Sequence, residues 1–250
     1  DMKNAHLAAL NLVQCHRSIN YVADMMKDKY GIDWLKVNFI GVEATKSSLR
    51  AIAAYFNDAE LTERIEAVIA DEEATISDEM EYYMSKLKGK TAAIYVGGSR
   101  SHHYQHLLRD LGMKTILAGY EFAHRDDYEG RKVIPEIKID ADSKNIENLT
   151  MEADPNFYQE NRISDELRKS LEENPDIELN DYAGMYADME EGAVIADDLN
   201  HYETEEFIKA LKPDVFFSGI KDKFVIQKAG VLSRQIHSYD YQGQIVRAHV

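Results

Sequence analysis

Cysteine is almost absent: Cys15 is the only one in 250 residues. A single thiol excludes an internal disulfide and suits a reducing cytoplasm. Proline is also scarce, with four residues beside 44% apolar residues, the balance of a globular chain rather than a disordered one. No apolar run approaches the roughly 20 residues that a bilayer-crossing helix needs. The N-terminal DMKNAH lacks the basic start and apolar stretch of a secretory signal. Positive charge is in deficit, 29 Lys and Arg against 45 Asp and Glu, for a net −16. Phosphate contacts need clustered Lys and Arg, so nucleic acid is excluded as a partner class. The deficit is local, because residues 140–191 hold 16 acidic and only 4 basic side chains. The length allows one large domain or two ordinary ones.

Residues 1–88 have mostly helical periodicity. Leu12, Cys15, Ile19 and Val22 fall on one face of a predicted helix that stops at Gly31, after Lys27 and Lys29. A short strand is expected at Val37–Ile40. Thr45 reads as the N-cap of a helix that repeats Leu49, Ile52, Ala53 and Phe56. A longer helix over 59–88 turns Leu61, Ile65, Val68, Ile69, Ile76 and Met80 inward and ends at Gly89. From residue 91 short apolar strands alternate with helices. The strands are Ala92–Val96, Thr115–Ala118, Ala193–Ala196, Val215–Phe217 and Val231–Ile236, with helices near 101–111, 203–211 and 222–229. This alternation predicts an α/β fold, a Rossmann-like doubly wound parallel sheet over 89–250. An acidic segment at about 129–191 interrupts it; Ser164 is placed to cap a short helix there, and the whole is expected to be a surface insertion.

Open α/β sheets bind ligands beyond the carboxyl ends of their strands. That rule selects Gly97-Gly98-Ser99-Arg100, Tyr120-Glu121-Phe122-Ala123-His124, Gly219-Ile220-Lys221 and His237, each following a predicted strand. Gly97 and Gly98 let the backbone approach a ligand closely, and the helix start behind them favours an anion. Seen alone, a GG pair is a tight strand-to-helix turn, and Arg100 and Lys221 are solvated surface charges; their shared rim favours a binding role. Cys15 on an apolar helix face is ordinarily a small core residue, and His237 a capped loop histidine. Thiolate and imidazole are also the ligand types that soft or borderline transition metals prefer, and the flanking His16-Arg17-Ser18 would favour a thiolate. His102 and His106, spaced i,i+4, could hold zinc with a third ligand, but no HExxH glutamate accompanies them. They are expected on the helix surface near the rim.

Read whole, LVQCHRSINYV, GGSR, GYEFAHRDDY at 119–128, GIKDKFVIQK at 219–228 and QIHSYDY resemble the α subunits of molybdenum-iron nitrogenase, in the nitrogenase component 1 family. The segment FAHRDDYEGRKVIP resembles its long-insertion branch. The likeness runs from about residue 3 to Gly243 and covers about half of the family's subunit. It implies an iron–molybdenum cofactor with homocitrate, Cys15 on the terminal iron and His237 on molybdenum. It further implies Ser18 as hydrogen-bond partner of the Cys15 sulfur and Arg17 along the cofactor's route of entry. Gly97, Gly98 and Arg100 would lie against cluster sulfides, Lys221 would hold homocitrate, Glu121 and Phe122 would pack beside the cofactor, and His124 would stabilise that loop. Tyr239 stands where the family often has Trp. The parent reaction is ATP-coupled reduction of dinitrogen to ammonia, with a β subunit in an α2β2 assembly and an iron-protein reductase as partners.

The family's α subunit also supplies three cysteines to a second iron–sulfur cluster, and a glutamine and a histidine beside the cofactor's reactive face, all upstream of the matched region. This sequence has none of them, and after Gly243 the pattern departs. The expectation is an incomplete central portion, C-terminally truncated, inactive alone, with residues 1–88 forming part of an incomplete domain. Two other readings stay open: an assembly scaffold that holds a precursor cluster, whose members generally lack the histidine ligand, and a metal-free module for an organic anion. Vanadium and iron-only relatives match GYEFAHRDDY less well.

Overall fold

The computed structural model describes residues 2–14, 19–121, 131–134, 150–153, 163–175, 177, 179, 190–197, 199–219 and 223–236. The N-terminal part begins with a 3-10 turn at Met2–Leu7, then β1 (Asn11–Val13), α1 (Asn20–Tyr30), β2 (Trp34–Lys36), α2 (Val42–Phe56) and α3 (Ala59–Leu87). β1 and β2 pair in parallel, and the Val37 N–H extends the pairing to the Val13 carbonyl at 3.0 Å.

Four expectations for this part are corrected, the first being Val68, expected to face inward on the long helix but 54% exposed on α3. Leu12 lies in a strand and is 48% exposed, so the apolar stripe does not begin there and the helix starts only at Asn20. The strand expected at Val37–Ile40 forms three residues earlier, where the β1 backbone is available to pair. The N-cap of α2 is Gly41, not Thr45; the Thr45 hydroxyl instead donates to the Gly41 carbonyl at 2.7 Å, within the first turn. The other helix ends follow local chemistry. Gly31 closes α1 in a left-handed conformation, with its N–H on the Lys27 carbonyl. Asp58 caps α3 by accepting from the backbone N–H groups of Glu60 and Leu61. Ion pairs from Lys46 to Glu73 at 2.6 Å and from Arg50 to Glu66 at 2.7 Å join α2 to α3.

The second part is built on five parallel strands: β3 (Thr91–Gly97), β4 (Lys114–Glu121), β7 (Val194–Asp197), β8 (Val215–Ser218) and β9 (Leu232–Gln235). Their spatial order is β7-β4-β3-β8-β9. In chain order this is third, second, first, fourth, fifth, the doubly wound arrangement, with its reversal between β3 and β8. The helices are α4 (Gly98–Asp110), α5 (Asp165–Glu172), α6 (His201–Leu211) and α7 (Lys223–Lys228). Ala92, Ile94, Val96 and Val215 face Leu108 and Met113 on one side of the sheet. Ala93, Leu117, Val194 and Phe216 face Phe207, Ile208 and Ile226 on the other. The central strands β3 and β8 are apolar on both faces because the sheet is packed on both, while β9 at the edge is mostly polar, with Leu232 exposed.

The segment expected to be a surface insertion is more than that. Two of its short strands, β5 (Arg131–Ile134) and β6 (Thr150–Ala153), pair antiparallel. Ser164 caps α5, accepting from the Leu167 N–H at 3.2 Å. α5 then buries Leu171 completely in the Phe207–Phe216 cluster, with Ile163 and Leu167 packed beside it. The short helix expected after Ser164 forms, but its acidic composition hid an inner face that belongs to the core.

Two positions hold the sheet's geometry. At its amino edge the Asp214 carboxylate accepts from the Thr91 N–H at 2.8 Å, the Lys90 ammonium at 2.9 Å and the Thr91 hydroxyl at 3.0 Å. These bonds, the backbone one foremost, hold its pKa down to about 2. A carboxyl depressed in the folded state stabilises fully above its unfolded pKa, and that stabilisation is lost as pH falls through the folded value. Asp214→Asn is therefore expected to cost about 1 kcal/mol near neutrality, after allowance for solvent screening. The deficit should fade as pH falls from about 4 to about 2, a window that denaturant midpoints measured across it will test.

Within β4, a Cβ on Gly119 would meet Leu199 Cδ1 at 2.8 Å and Tyr95 Cδ2 at 2.9 Å. The Tyr95 hydroxyl also donates to the Leu199 carbonyl, so neither neighbour yields freely. Gly119→Ala is expected to destabilise by about 1–3 kcal/mol through overpacking. An unchanged thermal midpoint would show that the pair can move aside.

Candidate functional site

All five strands run the same way, so their carboxyl ends share one edge. β3 ends at Gly97 and α4 begins at Gly98 with no intervening loop. The first N–H groups of α4 therefore sit at that edge, with the positive end of the helix dipole. Arg100 occupies the first turn of α4 and is exposed. Glu121, the last residue of β4, is the register partner of Gly97. β8 ends at Ser218, and the Gly219 N–H donates to the Tyr95 carbonyl at 2.7 Å, which carries the β8 exit alongside β3. β9 ends at Gln235, and the Ile236 N–H donates to the Ser218 carbonyl at 3.1 Å.

The structure thus brings together the backbones of Gly97, Gly98 and Glu121 with Arg100, Gly219 and Ile236, as the strand-end rule predicts. The order reversal falls between β3 and β8, whose exits carry GGSR and Gly219. Cys15, Arg17, Ser18, Phe122, His124, Lys221 and His237 lie outside the described residues. Three of them adjoin the edge in sequence: Phe122 follows β4, Lys221 lies two residues after Gly219, and His237 follows Ile236. Cys15 falls between β1 and α1.

α4 departs from expectation. His102 is fully buried, its ring centroid 5.4 Å from that of Tyr120 and tilted 60° to it. His103 is buried as well. His106 is partly exposed and faces Asp110, with Nε2 to Oδ1 at 3.7 Å. The i,i+4 histidines are therefore not two surface ligands, because the helix is packed on the side that carries His102. Burial raises the Asp110 carboxyl pKa, opposed by His106 and Arg109. Among the described residues, no group of three or more His, Cys, Asp or Glu side chains could hold a metal ion. No described helix is long and apolar enough to cross a membrane.

The polar members of the α4 inner face were not singled out from sequence. Ser101, Tyr104, Gln105 and Leu108 follow the i, i+3, i+4, i+7 spacing of a buried stripe, but three of the four are polar, so a search for apolar periodicity passes over them. The Ser101 hydroxyl bonds the Val96 and Gly119 carbonyls, both at 3.2 Å. Gln105 donates to the Tyr120 hydroxyl at 3.0 Å and accepts from the Glu190 N–H at 3.2 Å. The Tyr104 hydroxyl donates to the Ile236 carbonyl at 3.0 Å. These bonds fasten the helix that starts at the candidate edge to β3, β4 and the exit of β9.

The fold defines an α/β protein of the doubly wound class, in which ligands bind at the point of strand-order reversal. Within that class the chain belongs to the nitrogenase component 1 family: the sequence model described as "Nitrogenase component 1 type Oxidoreductase" matches residues 1–245. It is 54% identical over 246 residues to the nitrogenase molybdenum-iron protein alpha chain of Clostridium pasteurianum, covering 97% of this chain and 45% of that one. It is 53% identical to the corresponding alpha chain of Methanosarcina barkeri, again covering 97% of this chain and 45% of the relative. A solved structure titled "Nitrogenase Cp1 at pH 6.5" superposes with a TM-score of 0.74 at 55% identity, covering 96% of this chain and 46% of that one. The chain thus spans about half the length of the curated relatives it matches.

Proposed function

We propose that this chain is the cofactor-binding portion of a molybdenum-iron nitrogenase α subunit, acting in ATP-coupled reduction of dinitrogen to ammonia. The observation that carries the reading is the order reversal between β3 and β8, which lead into GGSR and Gly219, in a chain 54% identical to a molybdenum-iron protein alpha chain.

The donor chemistry of the described residues fits an anionic metal cluster carrying a polycarboxylate. α4 offers the N–H groups of its first turn, which have no partner within the helix, Gly97 and Gly98 carry no side chain to hold a bulky group off the backbone, and Arg100 is an exposed cation in the same turn. Cys15 and His237 would be the metal ligands, one thiolate and one imidazole. Ser18 would hydrogen-bond the Cys15 sulfur. Arg17 would line the way in, Lys221 would hold homocitrate, and Glu121 and Phe122 would close one wall. The iron–molybdenum cofactor, when bound, supplies the multi-electron reduction chemistry; the protein anchors it, balances its charge and excludes water.

The partners in this reading are a β subunit, in an α2β2 assembly, and an iron-protein reductase that delivers electrons with ATP hydrolysis. The second iron–sulfur cluster would be held by residues outside this sequence. A cytoplasmic setting goes with it, since a thiolate ligand must stay unoxidised.

The test is anaerobic purification of the native protein that carries this sequence, with its natural partners. Metal analysis should find molybdenum together with a larger amount of iron, and labelled dinitrogen should appear as labelled ammonia. Iron without molybdenum would favour the assembly-scaffold reading. No metal at all would leave a module for an organic anion.

A further inference from the structure

We infer that Tyr104 is a positioning residue that holds the exit of β9, the backbone after which His237 follows in sequence, in register with the Arg100-bearing start of α4. The inference rests on the proposed role of His237 as a metal ligand.

Ile236, the residue before His237, is bonded through both of its backbone groups. Its N–H donates to the Ser218 carbonyl at 3.1 Å, and its carbonyl accepts from the Tyr104 hydroxyl at 3.0 Å. The first bond continues the ladder between β8 and β9 by one residue past the last paired position, Ser218 with Gln235. The second is a side-chain bond across 132 residues of sequence. It comes from the helix whose first turn carries Gly98 and Arg100.

A peptide unit is planar, so fixing the Ile236 carbonyl fixes the plane from which the chain leaves towards residue 237. Parallel strands end freely once their ladder stops, and among the described residues β9 lies at the sheet edge with one strand neighbour. A ligand one residue beyond such an end needs a further restraint, and the Tyr104 hydroxyl supplies it. Ile236 and the Tyr104 ring also pack against the same apolar cluster. The ring thus contributes to packing, while the hydroxyl bonds the carbonyl. Replacing the hydroxyl by hydrogen separates the two roles.

The experiment compares wild type with Tyr104→Phe in the native complex, prepared anaerobically. The Phe variant keeps the ring, so the assembled protein and its molybdenum content should be preserved. Hydrogen exchange followed by mass spectrometry should show the peptide after Leu232 exchanging about 5–10-fold faster, the opening expected when one hydrogen bond is lost. X-ray absorption at the molybdenum edge should show a weakened or displaced nitrogen donor. Unchanged exchange and an unchanged spectrum in a molybdenum-loaded variant would overturn the positioning role. Wild-type protein without molybdenum would instead overturn the functional reading on which it rests. Should the Phe variant fail to assemble, Tyr104→Met, which also removes the hydroxyl, provides the second comparison. Faster exchange after Leu232 with a displaced nitrogen donor supports the role, and exchange and spectrum unchanged without the hydroxyl remove it.

Discussion

Cys15→Ala is expected to strip the native protein of molybdenum, with content per polypeptide falling by about 100-fold or more. The reasoning starts from the scarcity of ligands. In the proposed site the metal ligands are one thiolate and one imidazole, 222 residues apart in sequence. Two tethered anchors act by effective concentration, so removing one forfeits about 10²–10⁴ in retention without any other contact changing. Outer partners of metal ligands are worth about 10–100-fold on their own, and a ligand itself must exceed them. Ser18→Ala should therefore be milder than Cys15→Ala. Cys15→Ser should behave like the alanine variant, because a hydroxyl is a hard donor and stays protonated at neutral pH. Metal analysis after anaerobic gel filtration decides the matter. Full molybdenum content in Cys15→Ala would remove Cys15 from the site and return it to the role of a small core residue.

The second large effect belongs to the sheet. Phe216→Ala should destabilise the protein by about 3–5 kcal/mol, a third or more of a typical domain's stability. Phe216 lies within β8, beside the order reversal, and is fully buried in the cluster that joins β3, β4 and β7 to α5, α6 and α7. Truncation leaves a cavity that strands on both sides hold open, since β8 is paired to β3 and β9. The natural comparison is Val68→Ala on α3, where the side chain is 54% exposed and the change should stay within about 0.5 kcal/mol. Denaturant midpoints of the two variants should separate widely. Equal midpoints would mean that the core can collapse around the missing ring.

Periodicity and composition made most of the second part legible. Every strand expected after residue 91 forms within about three residues of its predicted ends, and α4, α6 and α7 appear between the expected strands. The physical reason is that fully covered parallel strands are short, continuous apolar runs bounded by polar turns, and such runs are visible in one dimension. The rim was legible for the same reason, because parallel strands connected by helices must place their carboxyl ends on one edge.

The misreadings came where local and long-range forces disagree. Leu12 fits a helical stripe with Ile19 and Val22, but parallel pairing of β1 with β2 takes it into a strand. Thr45 is a good cap residue by type, yet the helix begins earlier, where Gly41 lies close to Leu107 of α4. α5 looked like surface because its sequence is acidic, although one leucine in its inner face completes a core. His102 looked exposed because its neighbours are polar, and Tyr120 covers it.

The sequence by itself determined the α/β class, the alternation of strand and helix, and the family, the last through motifs specific enough to read whole. Those features depend on residues near one another along the chain. Only the tertiary structure decided the strand order, and with it the order reversal between β3 and β8. It also decided which face of α4 is buried and that Tyr104 reaches Ile236 across 132 residues. Such pairings cost loop entropy and are repaid by burial and hydrogen bonds distributed over the whole sheet, so no single stretch of sequence records them.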